Sequence, residues 1–302
     1  MGDIQIAIVT KDRPEILKDT LLRLEELSLD NKSLIIDGSR GAETKKVSQN
    51  FESDYYRQDK GRRIQARNIA LEKCDSDYLA FIDDDVFVSD SWFESMKNAL
   101  EKEDVVGVTG RLKGENVEFG SVSGKIRSFL FGGKAVFGEI LDNGVINGDF
   151  FYDEEKEVDH LVGCNMGVDV EAIKDVGGFN TDYDVGNAYR EETEPTYLLK
   201  NKGRLIYDPS ASLEHLGVNE NEKRRRWLFY NPYLTKYFLN RNNVVKDIKG
   251  RLGYLINKIA RHCFYLLTSI KNRDLTYKYY LLGELKGFND FIIKDKKPQE
   301  HL

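Results

Sequence analysis

Tyr78-Leu79-Ala80-Phe81-Ile82-Asp83-Asp84-Asp85 is a short apolar run closed by three carboxylates. Its length and bounded ends read as a buried strand that delivers charge to a sheet edge. Working outward, Ile4 to Val9 has the same character, short and β-branched, and runs into the polar turn Thr10-Lys11-Asp12-Arg13. Pro14 suits the first turn of the helix that follows, to about Leu27, with Ile16, Leu17, Thr20, Leu21 and Leu24 on one face. Leu34 to Ile36 is a second strand, ending at Asp37-Gly38-Ser39, and a short strand follows near Tyr55. Gly61 to Cys74 reads as a helix whose apolar side is Ile64, Ala66, Ile69, Ala70 and Leu71.

Strand and helix alternate with short connections. That pattern predicts βαβ units and a mostly parallel sheet flanked by helices. Ligands of open sheets bind at the carboxyl ends of the strands. Here those ends carry Thr10 to Arg13, Asp37 to Ser39 and Asp83 to Asp85. Residues 111–157 are less regular and rich in Gly and Phe, as an insertion would be, and order returns at Val158. From about Glu220 the chain reads as helices. The expected division is a catalytic domain over 1–218 and a helical region over 219–302.

Clustered carboxylates repel one another, and a divalent cation relieves the repulsion. Mg2+ or Mn2+ held by one or two carboxylates commonly completes its shell with substrate phosphates. A solvated acidic turn is the alternative for the triplet taken alone. Arg190-Glu191-Glu192-Thr193-Glu194 precedes a helix that Pro195 helps to start. Glutamates there suit a helix N-terminus, while one aimed into a site serves as a general base. Tyr207-Asp208-Pro209 to Glu214-His215 reads as strand, turn and strand, ending on one of only four histidines. Histidine accepts Mn2+ more readily than Mg2+.

Taken in order, these segments resemble the family 2 glycosyltransferases, over roughly residues 4–216. Ala7 to Pro14 is similar to the family's first strand and turn, and Ile35-Ile-Asp37-Gly38-Ser39 to its nucleotide-contacting turn. Gly61-Arg-Arg-Ile-Gln-Ala66-Arg67-Asn68 resembles its Gly…Ala-Arg-Asn helix, and Phe81 to Asp85 its DxD motif. Gly163-Cys-Asn165-Met166 and Val176-Gly177-Gly178-Phe179 resemble its acceptor-side segment, and Arg190 to Glu194 stands where it carries its base. The resemblance implies a GT-A type Rossmann-like sheet with a C-terminal helical extension. It implies an inverting, metal-assisted transfer of a sugar from a nucleotide-diphosphate donor to a hydroxyl of a saccharide or lipid-linked saccharide, as in polysaccharide biosynthesis. Thr10, Arg13, Asp37, Arg67, Asp83 and Asp84 are then the donor side; Asp85, His215 and Asp83 hold Mn2+ or Mg2+; Gly163, Asn165 and Met166 lie on the acceptor side. Glu192 is the expected base. The family more often has Asp there, which leaves Glu191 as its rival.

A sugar nucleotidyltransferase is the nearest alternative, but Thr10 to Arg13 lacks the glycine-rich phosphate loop it needs. A non-catalytic nucleotide-sugar-binding module has no use for the full set Asp83, Asp85, Glu192 and His215. A glycoside hydrolase uses two carboxylates without the Asp37-Gly38-Ser39 turn or a metal triplet.

Charge is uneven. Residues 217–302 hold 18 Lys and Arg against 8 Asp and Glu, or +10, within a net charge of -6, leaving -16 on residues 1–216. An acidic body is a poor binder of nucleic acid. The basic tail suits a membrane surface or a solvated helical face. Cys74, Cys164 and Cys263 form no CxxC pair, which predicts a reducing, cytoplasmic setting. No signal peptide or transmembrane helix is expected, so any membrane contact would be peripheral.

Overall fold

The computed structural model describes residues 2–59, 61–113, 137–148, 150–186, 188–216 and 221–301. Residues 114–136 and 149 of the irregular region, and the expected boundary at 218, lie outside the described residues. The chain divides into two compact units: one of residues 1–116, 148–180 and 192–217, the other of 117–147, 181–191 and 218–302.

The first unit is built on a nine-stranded sheet. Its strands are β1 (Ile4–Thr10), β2 (Ser33–Asp37), β3 (Asp54–Arg57), β4 (Tyr78–Asp83), β5 (Val86–Val88), β6 (Val105–Lys113), β7 (Lys156–Glu157), β8 (Asn165–Asp169) and β9 (Arg204–His215). The order is β3-β2-β1-β4-β8-β6-β9-β5, with β7 also on β9. β1 to β4 are mutually parallel, and β8, antiparallel to both β4 and β6, leaves β6 and β9 pointing the same way as β1. Strands inside such a sheet are covered on both faces, which is why they are apolar almost throughout. Ile4, Ile6, Ala7, Ile8, Leu34, Ile35 and Ile36 are fully buried.

The helices of this unit are α1 (Pro14–Glu26), α2 (Glu43–Ser48), α3 (Arg63–Lys73), α4 (Trp92–Leu100), α5 (Val170–Asp175) and α6 (Thr193–Leu199). In α1 the buried stripe is Leu17, Thr20, Leu21 and Leu24, the spacing of one helical face. One element differs from the sequence reading. The turn expected at Asp208-Pro209 is an irregularity inside the continuous strand β9, where Gly110 to Leu112 of β6 span Asp208 to Leu213. Pro209 has no N–H for the ladder, and the Asp208 carboxylate accepts the Ser210 N–H instead (2.8 Å).

The second unit is mainly helical: α7 (Asn221–Arg241), α8 (Ile248–Asn272), α9 (Thr276–Gly287) and a π-helical turn (Phe288–Ile293). Tyr230, Tyr233, Leu234 and Phe238 of α7 are fully buried. By contrast, Leu252, Leu255, Ile256, Ile259, Leu267 and Ile270 of α8 are each more than half exposed. No described helix is long and apolar enough to cross a membrane.

Candidate active site

The parallel register sets Thr10 beside Asp37 and Val9 beside Asp83. Three strand ends therefore meet at one edge, each contributing the polar residues that the sequence places there. The turns after β1 and β2 are tied together, since the Asp12 N–H donates to the Ser39 hydroxyl (2.7 Å) and the Arg40 N–H to Asp12 Oδ1 (3.0 Å). Gly38 is required by close approach: a Cβ on it would stand 2.6 Å from the Gly61 Cα.

Asp83, Asp85 and His215 form the centre. One ligand atom from each lies within 4.8 Å of the others. Sheet pairing brings them together, because Val86 of β5 pairs with His215 of β9 and so sets Asp85 next to the imidazole. His215 Nε2 is 3.4 Å from Asp85 Oδ1 and 3.6 Å from Asp83 Oδ2. Asp85 Oδ1 is buried and has no hydrogen-bond partner. A buried carboxylate oxygen left in this state is unfavourable unless a cation or donor reaches it. Two carboxylates and an imidazole are a donor set that fits a divalent ion, Mn2+ in particular. Desolvation works to raise the Asp83 carboxyl, but the nearby His215 imidazole and the charges of Arg63 and Arg67 outweigh it and hold Asp83 well below the ordinary carboxylate range. Arg63 was not among the residues singled out from sequence; its position in the Gly61 to Asn68 segment was the available signal.

The third carboxylate turns the other way. Asp84 is 3% exposed, accepts the Thr10 hydroxyl (2.6 Å) and pairs with Arg13 (2.8 Å), which also holds Asp85 Oδ2 (2.6 Å). Its main-chain oxygen accepts the Thr20 hydroxyl (2.8 Å). Burial pushes the Asp84 carboxyl up to about 6 against the pull of Thr10 and Arg13, with Asp85 and Asp83 adding to the rise. Thr10, Arg13 and Asp84 thus orient the triplet within the protein.

Asp37 is fully buried. Its Oδ1 accepts the Ser39 N–H (2.7 Å), and its Oδ2 accepts the Tyr55 hydroxyl (2.7 Å) and Arg57 (3.0 Å). Tyr55 and Arg57, which sequence reasoning passed over, come from the short edge strand β3, too short to carry a pattern. Arg67 is also buried, lies over the rings of Phe81 (5.3 Å) and Phe179 (5.5 Å), and donates to the Gly163 carbonyl (3.0 Å).

Asn165 is fully buried, and its amide accepts from the Trp92 indole (2.8 Å) and donates to the Ala211 carbonyl (2.9 Å). Met166 is fully buried in β8. Gly163 is bound through Arg67, and a Cβ there would meet the guanidinium at 2.8 Å. Glu192 stands at the N-terminal boundary of α6 without capping it, is half-buried, and its carboxylate makes no hydrogen bond or ion pair with a described residue. Its main-chain carbonyl accepts the Thr196 hydroxyl (2.7 Å), which itself accepts the Leu161 N–H (3.2 Å). That relay ties the start of α6 to the segment just before Gly163. Glu194 is buried and accepts from Asn180 (2.7 Å). Glu191 is buried at the end of the segment 181–191 of the second unit.

The family model described as glycosyl transferase family 2 matches residues 5–177, more than half of the chain. No curated protein matches significantly. Among solved structures, the crystal structure of GalNAc-T7 with UDP, GalNAc and Mn2+ is 14% identical with a TM-score of 0.57, over 86% of this chain and 55% of that one. The chain therefore spans little more than half the length of that relative. The mannosyltransferase PcManGT from Pyrobaculum calidifontis, in complex with GDP-Man and Mn2+, is 12% identical with a TM-score of 0.58, over 95% of this chain and 87% of that one. At such identities the likeness is one of fold, the GT-A fold. With the family model spanning the first strand, the nucleotide-side turn and the Asp83 to Asp85 triplet, the chain belongs to glycosyl transferase family 2.

Proposed function

We propose that the protein is an inverting glycosyltransferase that moves a sugar from a nucleoside-diphosphate donor to a hydroxyl of a saccharide or lipid-linked saccharide. The observation that carries the reading is the cluster of Asp83, Asp85 and His215 with its unsatisfied buried oxygen. Two proteins of the same fold hold a nucleotide or nucleotide sugar together with Mn2+, which supports a divalent ion, Mn2+ or Mg2+, at this cluster. When bound, the ion would stabilise the charge that builds on the departing diphosphate. Arg13 holds Asp84 and Asp85 in place, and Asp37, backed by Tyr55 and Arg57, shapes the nucleotide side. Glu192 takes the proton of the acceptor hydroxyl as that oxygen attacks the anomeric carbon opposite the leaving group. A single displacement of this kind inverts the configuration. Glu192 suits the role because its carboxylate is not engaged by described residues, whereas that of Glu194 is.

The second unit suits work at a membrane surface on the cytoplasmic side, through the exposed apolar face of α8, where a lipid-linked acceptor would be presented. In the sequence, Arg224-Arg225-Arg226 leading into Trp227, Phe229, Tyr230 and Tyr233 reads as basic and aromatic groups for a membrane interface, but Phe229, Tyr230 and Tyr233 are core residues of this unit. They stack on one another, and Tyr233 packs on Phe291, so the surface reading rests on α8.

The deciding experiment is a thermal-shift and hydrolysis screen of nucleotide sugars with and without Mn2+. A donor that binds only the folded state raises apparent stability. We expect one nucleotide class to stabilise the protein only with Mn2+, and Asp85→Asn to abolish that shift while melting normally without ligand. Unchanged Mn2+-dependent binding by Asp85→Asn would remove the metal assignment.

A further inference from the structure

A cavity of about 570 Å3 lies within the second unit, among α7, α8, α9 and the π-helical turn. That is the size of a small-molecule site. Its polar lining includes Lys236, Arg251, Lys258, His262 and Glu284. Three permanent cations thus stand against one carboxylate. Lys236 and Lys258 both bond Glu284 Oε2, Lys236 at 2.9 Å, and Lys236 also donates to the Glu284 carbonyl (3.0 Å).

Each ammonium has three N–H groups. Lys236 gives two of them to Glu284 and Lys258 gives one, so one and two are left without an oxygen partner, with Lys236 over the Phe288 ring (5.7 Å) and Lys258 over the Tyr254 ring (5.1 Å). Both lysines are largely buried, with side-chain exposures of 11% and 19%. Burial, and then the neighbouring Lys258, depress the Lys236 ammonium below its ordinary value. His262 Nδ1 is buried with no hydrogen-bond partner. Unspent donors on cations held out of water are costly unless an anion meets them.

The other lining is apolar and continues outward. Leu285, Phe288 and Ile292 line the cavity and are each about half exposed or more. The charged floor therefore opens onto apolar side chains. A simple inorganic anion would use the floor and leave those side chains in water; a neutral lipid would leave the donors unmet. Three spare N–H groups and the Arg251 guanidinium match the oxygens of a phosphate.

We propose that this cavity binds a phosphate-bearing amphiphile, its phosphate held by Lys236, Lys258 and Arg251 and its chain laid along Leu285, Phe288 and Ile292. The site lies wholly in the second unit and requires neither donor nor metal.

The test is calorimetry of the full chain with dihexanoyl phosphatidic acid below its micelle threshold. Inorganic phosphate should bind at least about tenfold more weakly, lacking the apolar term, and octyl glucoside, an uncharged amphiphile without phosphate, likewise. Lys258→Gln should weaken binding about tenfold, and Arg251→Glu, at an exposed rim position where folding is not at stake, at least about threefold. Mn2+-dependent nucleotide binding, followed in parallel, should be unchanged in both variants. Equal binding of inorganic phosphate would make this a plain anion site, and equal binding of octyl glucoside a plain apolar groove; either overturns the proposal. So would absence of binding, or indifference to Arg251→Glu.

Discussion

Each unit holds a buried cluster of charge, one built around carboxylates and the other around ammonium groups. At the end of β4 three aspartates meet Arg13 and His215, with the charges of Arg63 and Arg67 acting on Asp83. In the helical unit two lysines meet Glu284, with Arg251 on the same cavity, and the surplus is positive. Asp85 Oδ1 and His262 Nδ1 are buried without a hydrogen-bond partner, and burial, with like charge adding to it, pushes Asp84 up and Lys236 down. Uncompensated buried charge destabilises the empty protein and favours whatever binds it. Such clusters are where a ligand is expected, and net charge does not point to them: the chain's -6 reveals neither cluster.

The sharpest way to break the acidic half of the comparison is at the base. Glu192→Gln should lower kcat by roughly 10²–10⁴-fold, the usual contribution of a positioned base. Mn2+-dependent donor affinity should stay within about twofold, since the base acts on the acceptor proton and not on the donor. Glu191→Gln should do far less to kcat. A dead Glu191→Gln beside an active Glu192→Gln would move the role by one residue.

The basic half breaks at Glu284. Glu284→Gln leaves Lys236 and Lys258 buried without their carboxylate, at a cost of about 3–5 kcal/mol. In a chain of this size that is a fall in Tm on the order of 10 °C. Burial alone would raise the Glu284 carboxyl, but Lys258 and Lys236 outweigh it and hold it below its ordinary value of 4.5. A carboxyl depressed on folding contributes stability above its unfolded pKa, and that contribution is lost as pH falls toward the folded value. The gap between wild type and Glu284→Gln should therefore be full at neutral pH and shrink below about pH 4.5. A gap that persists unchanged on acidification would show that the carboxylate charge is not what holds the lysines.

The sheet was legible in the sequence because parallel strands covered on both faces must be apolar along their length, and β1, β2 and β4 are. The candidate metal cluster was legible because Asp83 and Asp85 stand two apart in sequence and His215 closes a strand. What escaped is what long-range register decides. Tyr55 and Arg57 reach Asp37 only because β3 pairs with β2. Asn165, set on the acceptor side from its motif, has its side chain tied between Trp92 and Ala211. If those bonds are its main work, Asn165→Ala should cost about 1–3 kcal/mol for each donor left unmet, and acceptor KM should change little. A large KM effect with an unchanged Tm would return Asn165 to the acceptor. The aromatic run of α7 misled for a related reason: a sequence cannot show whether rings beside arginines face solvent or one another.

The smallest effect concerns the arginines themselves. Liposome sedimentation of the full chain should show binding that rises with anionic lipid at low salt, where each basic residue near the surface contributes about 1 kcal/mol. Arg224, Arg225 and Arg226 are not all available for this. Arg226 pairs with Glu300 (2.7 Å), Arg224 lies 3.9 Å from Asp274, and Arg225 sits over the Tyr279 ring at 6.0 Å. Replacing all three by Ala should therefore weaken binding by less than about 3 kcal/mol, and the loss should fade as salt rises. The apolar face of α8 is the larger contributor on this reading, since Leu255 and Ile259 are each more than half exposed and each carries the hydrophobic term on insertion. Leu255→Asp with Ile259→Asp should abolish binding at any salt, without lowering Tm, because neither side chain is part of a buried core. Should the paired aspartates leave binding intact while the arginine variant removes it, the contact would be electrostatic alone and α8 would owe its apolar face to a protein partner. Failure of the wild type to sediment with anionic vesicles at low salt would refute the membrane reading outright, and would leave the cavity of the second unit to be judged on its soluble probe.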